Sequence, residues 1–161
     1  MDKLAEQFGA LGNWQKIDEK FDETIIKQIN DASCVSALGE MLANYYGLNL
    51  AQADILENIG VWANAEILAD FLNSKETQFG VEWIGGGFPL ASKFVKGIST
   101  DVWGAMLRQS ETIGHAVLIA GIDELGLMII KDPFDQTRYK MTDAELFDIL
   151  SEFVLRRKKR S

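Results

Sequence analysis

The feature that most constrains the fold is a change of hydrophobic period near residue 80. Before it, apolar residues recur at helical spacing; after it, they alternate or run together as strands do. Cys34–Tyr46 reads as a helix, with Val35, Leu38, Met41, Leu42, Tyr45 and Tyr46 on its repeat. Asp31 and Ser33 supply possible N-caps and Gly47 the C-terminal stop. Asn49 opens a second helix to about Ile59, with Ile55, Leu56 and Ile59 on one face. Asn64 opens a third, with Ile67, Leu68, Phe71 and Leu72 inward. Residues 1–27 are polar with scattered Leu, Phe and Trp14, which predicts one or two short helices or a wrapping arm.

From residue 80 onward, Val81–Ile84 alternates like a strand and runs into the punctuation of Gly85-Gly86-Gly87. Thr100 or Asp101 can cap a short helix through about Gln109. Two apolar runs, His115–Ile122 and Leu127–Ile130, flank Asp123-Glu124-Leu125-Gly126 and form a hairpin signal. Arg138–Met141 reads as a further strand. Thr142 with Glu145 is a capping box before a helix whose inner face is Leu146, Phe147, Ile149 and Leu150. Helices first and strands second predict an α+β fold with segregated layers in a single domain spanning 1–161. Its appendages are an N-terminal arm (1–24) and a basic tail (156–161).

Charge narrows the function. The net charge is −8, yet five of the sixteen lysines and arginines stand together at Arg156–Arg160. Eleven bases against twenty-four acids leave Met1–Leu155 at −13. An acidic body of this kind is a poor partner for nucleic acid. The basic run reads as a solvated terminus or a last strand with charged ends. The longest apolar run, Ala116–Ile122, is far too short to span a membrane, and Met1–Leu11 lacks the continuous apolar stretch of a secretory signal.

The chain has one cysteine, Cys34, and one histidine, His115. An intramolecular disulfide and any metal site built from several Cys and His are thereby excluded, and no cofactor is expected. A thiol–imidazole pair is what these two residues can still build. Cys34 stands at the N-terminus of the first helix, where the helix dipole and unpaired N–H groups favour a thiolate. Gln28, six positions earlier, can donate its carboxamide N–H to a developing oxyanion beside the Cys34 amide. His115, after Gly114, begins the most apolar strand and can serve as general base and acid. Asp132 ends the next strand and, across an antiparallel pair, can orient the imidazole.

With these residues in place, the sequence resembles the papain-like cysteine peptidases, and more closely the double-glycine peptidases known from bacteriocin exporters. The resemblance rests on Gln28-Ile-Asn-Asp-Ala-Ser-Cys34 leading to Asn44-Tyr45-Tyr46-Gly47, on Gly114-His115-Ala-Val-Leu-Ile, and on Lys131-Asp132-Pro133-Phe134. It covers most of residues 25–153. It implies a papain-like fold with Cys34 as nucleophile, His115 as base, Asp132 as its orienter and Gln28 as oxyanion donor. Trp83, Trp103 and Phe88 are candidate walls of a narrow cleft, with Gly114 beside it, and cleavage after Gly-Gly is the expected preference. Where the family usually has Asp-Cys-Gly-Pro, this chain has Ser33-Cys34-Val35-Ser36.

The exporter's membrane and ATPase regions are absent from this sequence, so the resemblance implies a stand-alone peptidase of the toxin or effector kind. Its partners would be a protein substrate and a cognate immunity or inhibitor protein, not nucleic acid or membrane. It would reach its target by a specialised secretion system or act in the producer's cytoplasm. A glutamine deamidase using the same triad, and a non-catalytic peptide-binding domain, are the alternative readings.

Overall fold

The computed structural model describes residue 10 and residues 12–87, 101–110 and 113–159. In chain order its elements are β1 (Ile17–Phe21), α1 (Cys34–Tyr45), α2 (Gln52–Ile59), α3 (Ala65–Lys75), β2 (Val81–Gly86) and β3 (Trp103–Arg108). Then follow β4 (Gly114–Ile122), β5 (Met128–Asp132), β6 (Thr137–Met141), α4 (Asp143–Ile149) and β7 (Leu150–Lys158). The described strands form one seven-stranded antiparallel sheet in the order β1-β6-β5-β4-β3-β7-β2. The fold is the α+β arrangement that the change of period predicts.

The sheet separates two cores. Leu38, Met41 and Leu42 of α1 join Ile55 of α2, Leu68 and Leu72 of α3, and Trp83, Met106, Ala116 and Leu118 of the sheet on one face. Trp103, Leu107, Val117, Ile119, Ile130, Tyr139 and Leu146 form the other, with Trp14 packed among them. Burying these apolar surfaces is the dominant stabilising term. Glycines set how closely the layers approach. A Cβ on Gly104 would lie 2.8 Å from Leu38 Cδ2, and one on Gly39 would lie 2.9 Å from Leu68 Cδ1. A Cβ on Gly85 would collide with the Ala65 carbonyl, so the start of α3 rests directly on the β2 backbone. Gly85 and Gly86 are therefore strand residues rather than the flexible punctuation that the sequence suggests.

Local signals explain the element ends. Gly47, at φ +81°, ends α1 in a Schellman turn: Leu48 N–H donates to Ala43 O (2.8 Å) and Gly47 N–H to Asn44 O (3.2 Å). Asn64 caps α3 by accepting from the Ile67 amide, and Thr142 caps α4 by accepting from the Glu145 amide. The second half of the capping box does not close, because Glu145 Oε1 instead accepts from the Gln15 amide (2.9 Å).

Several sequence expectations are corrected. The segment read as a helix through Gln109 holds β3. Its residues Trp103–Leu107 are buried on both faces in mid-sheet, which erases the alternation that marks a strand. Within the polar N-terminal segment, Ile17–Phe21 is an edge strand with four exposed or half-exposed charged and aromatic residues after Ile17. The second helix begins at Gln52 rather than Asn49. Ile67 is exposed, because α3 turns only Ala65, Leu68, Ala69 and Leu72 fully inward. The basic run continues β7, where Arg156 pairs with Glu76 (2.7 Å) and Arg157 with Glu82 (3.1 Å). Phe88 and Thr100 lie outside the described residues.

Candidate active site

Cys34 opens α1 and is buried in the helical-side core. Ser33 occupies the N-cap position, yet it does not cap the helix. Its hydroxyl turns back and accepts from the Asn30 amide (3.0 Å), and no side chain caps the first turn. An uncapped N-terminus keeps its N–H groups and its positive end available beside the thiol.

Gln28 is buried and held at both ends. Its main-chain N–H donates to the Pro133 carbonyl (2.9 Å), which ties the segment before α1 to the residue following Asp132. Its side-chain Nε2 donates to the Asn30 carbonyl (2.9 Å). Because that carbonyl can only accept, the orientation of the carboxamide is fixed. One amide N–H remains, and Oε1 is buried without a hydrogen-bond partner among the described residues.

His115 and Asp132 meet across β4 and β5. The strands pair Leu118 with Lys131 and Ile119 with Ile130, which brings the end of β5 toward the start of β4. His115 Nε2 lies 2.6 Å from Asp132 Oδ1, with both residues buried. Cys34 also acts on the same imidazole, and with Nε2 turned to Asp132 the other ring nitrogen, Nδ1, is the one left for sulfur. Burial alone would hold His115 neutral. The Asp132 carboxylate, its hydrogen bond and Cys34 outweigh burial and push the imidazole up to about 10. Burial likewise opposes charge on Asp132, but His115, and then Lys16, hold its carboxyl below the ordinary value.

Trp14, Phe134 and Tyr139 complete the site, a place the sequence assigned to none of them. The Trp14 ring stacks on His115 (centroids 6.4 Å apart, planes at 18°), and Phe134 meets it edge-on at 6.4 Å. The Phe134 amide donates to Asp132 Oδ1 (3.0 Å), and the Tyr139 hydroxyl donates to Asp132 Oδ2 (2.9 Å). Tyr139 had a legible signal: it lies two residues after the β-partner of Asp132, so strand alternation puts both on one face. Nothing local marks Trp14, which is brought in by tertiary packing.

The structure brings Cys34, His115 and Asp132 together and joins Gln28 to them through Pro133. Two of the expected cleft walls, Trp83 and Trp103, lie elsewhere. Trp83 is core: it meets Tyr46 edge-on (5.6 Å), at the end of α1 opposite Cys34, and its indole N–H donates to Glu76 (2.9 Å). Trp103 is buried under α4, stacked on Phe147. Both are strand aromatics, whose large apolar area is drawn into a core. Gly114 is exposed beside His115, and a Cβ there would make only an ordinary contact with Leu107 O (3.6 Å). Among the described residues no cluster of three or more His, Cys, Asp or Glu is placed to hold a metal ion. No helix among them is long and apolar enough to cross a membrane.

A thiol-bearing helix packed on an antiparallel sheet that carries His and Asp is the papain-like peptidase fold, in the form seen in double-glycine peptidase domains. The peptidase domain of Streptococcus ComA, a bi-functional ABC transporter involved in quorum sensing, superposes with a TM-score of 0.64 at 15% identity, covering 83% of this chain and 97% of that domain. A double-glycine motif protease from an AMS/PCAT transporter, solved with its leader peptide, also gives 0.64 at 15% identity, over 89% and 94% of the two chains. In sequence, the chain is 35% identical over 142 residues to Cysteine protease effector 1 of Escherichia coli O1:K1:H7. That alignment covers 88% of this chain but 28% of the effector's length. No family model matches the chain.

Proposed function

We propose that this chain is a cysteine protease domain in which Cys34 is the nucleophile, His115 the general base and acid, Asp132 its orienter and Gln28 a donor to the oxyanion. The observation that carries the reading is the buried line Cys34–His115–Asp132, with its 2.6 Å bond, at an uncapped helix N-terminus. His115 Nδ1 takes the thiol proton and Sγ attacks the scissile carbonyl carbon. The carbonyl oxygen, now negative, is met by the Gln28 N–H and main-chain N–H groups at the start of α1. The tetrahedral species collapses as His115 returns the proton to the leaving nitrogen, which releases the amine and leaves a thioester. Water then gives a proton to His115, attacks the thioester and frees the acid product, and the proton returns to sulfur.

The relative's name supports an effector role, and the double-glycine protease neighbour supports cleavage after Gly-Gly in a specific protein substrate. Exposed Gly114, at the start of β4, leaves room for substrate backbone beside His115. For an effector, a cognate inhibitor that covers the thiol is expected to co-purify with Cys34→Ala from the producing cell. The test of activity is incubation with a target-cell proteome followed by N-terminal labelling. New N-termini present with wild type and absent with Cys34→Ala support a protease. A gain of about 1 Da on glutamine side chains without cleavage would instead make it a deamidase.

A further inference from the structure

The hydrogen bonds behind His115 run in one direction, and that direction is set by a residue far away in sequence. Trp14 Nε1 lies 3.3 Å from the Tyr139 hydroxyl oxygen. An indole N–H can only donate, so the Tyr139 oxygen accepts there. The phenol's single proton is then committed to Asp132 Oδ2, 2.9 Å away. Asp132 Oδ1 already accepts from the Phe134 amide and faces His115 Nε2. Donors on both oxygens favour the ionised carboxylate over the protonated acid. The proton between the pair therefore belongs to Nε2, and Nδ1 is free for Cys34.

We propose that Tyr139, aimed by Trp14, is a positioning residue that fixes this polarity, so that His115 presents Nδ1 to the thiol. The inference rests on the reading of His115 as base. Tyr139 is suited to the role because it cannot switch: burial and the Asp132 charge push its phenol well above the ordinary value, so it stays a donor. The charged and titratable groups around this chain come from every neighbouring element. Asp132 faces His115 on β4, Tyr139 on β6 and the charge of Lys16 ahead of β1. Asp135, in the β5–β6 turn, acts on Tyr139 and Lys16, and Cys34 of α1 faces His115. Lys16 lies 4.7 Å from the centre of the Tyr139 ring and further holds the phenol in place.

Having one cysteine and one histidine makes the test clean, because alkylation by iodoacetamide reports Cys34 alone and 15N-histidine spectra report His115 alone. Tyr139→Phe removes only the hydroxyl. Without that donor Asp132 takes up a proton at higher pH, the imidazolium loses its partner, and thiol reactivity falls. The acidic limb of the alkylation profile should move up by about one pH unit or more, the effect of losing one hydrogen bond to a charged group. The His115 15N shifts should move with it. Trp14→Phe should shift both in the same direction by less, since Tyr139 keeps its proton and loses only its aim.

A folded Tyr139→Phe with wild-type alkylation and His115 spectra would overturn the proposal. If Tyr139→Phe does not fold, a wild-type profile in Trp14→Phe overturns it. These outcomes are distinct from failure of the protease reading. There, wild-type Cys34 would itself alkylate with the pH profile of a free thiol, and substituting Tyr139 would be irrelevant.

Discussion

The two sides of the candidate site are built to opposite standards. On the base side, both oxygens of Asp132 are engaged, the imidazole is held at Nε2, and Trp14 and Phe134 cover the ring. On the nucleophile side, the helix has no side-chain cap, and both Gln28 Oε1 and Ser36 Oγ are buried without hydrogen-bond partners among the described residues. Buried polar atoms are normally satisfied, because leaving one bare costs about 1–3 kcal/mol. The contrast matches a division of labour. The base must keep a single geometry, whereas the corner around the thiol must receive atoms that arrive only with substrate.

The largest effects should come from breaking the base side. Asp132→Ala leaves the His115 N–H and the Tyr139 hydroxyl facing a void. We expect a loss of about 3–5 kcal/mol in urea unfolding and proteolysis reduced by about 10⁴-fold. A well-folded, active Asp132→Ala would remove the distinction between the two sides. The nucleophile side should behave in reverse. Gln28→Ala deletes a carboxamide whose oxygen already lacks a partner, so stability should change by less than about 1 kcal/mol. Turnover should nevertheless fall by about 10²- to 10³-fold, the effect of one lost oxyanion donor. A Gln28→Ala protein that is badly destabilised, or fully active, contradicts this.

pH sharpens the comparison further. His115 is raised from 6.5 to about 10 on folding, so its contribution to stability is complete below about pH 6.5 and is lost as pH rises toward 10. Asp132 is lowered from 3.8, so its contribution is present above that value and is lost as pH falls through its depressed one. The stability difference between wild type and His115→Gln should therefore be widest between about pH 4 and 6.5 and close by about pH 10. The corresponding difference for Gln28→Ala should be flat over that range. The smallest effect is a control away from both sides. Asn64→Ala removes the α3 cap and should cost about 1 kcal/mol with unchanged turnover.

How far the sequence revealed this molecule depended on the range of the interactions. The α1 helix, its Gly47 stop, the β4–β5 hairpin and the Thr142 cap are local, and each was legible. So were Cys34, His115 and Asp132 as candidates, since the last two sit at matching ends of one hairpin and the first opens a helix. Strand β3 was misread because Gly104-Ala105-Met106-Leu107 is covered on both faces and contains good helix formers. Strand β1 was missed because an exposed edge shows little alternation. Trp83 and Trp103 were drawn toward a cleft by their residue type alone, whereas the packing of α3 and α4 decides where they go. Trp14 had no local signature at all, since its partners His115 and Tyr139 lie more than 100 positions along the chain.

The Trp14–Tyr139 bond spans 125 positions, so it closes one of the longest loops among the described residues. A contact of such separation carries a loop-closure cost in chain entropy that no neighbouring residue can repay locally. The aim of the imidazole therefore belongs to the whole fold and to no local segment. An unfolded chain carries the same thiol and imidazole with nothing to align them. In such a chain the two groups come into line only once Trp14 and β6 have met.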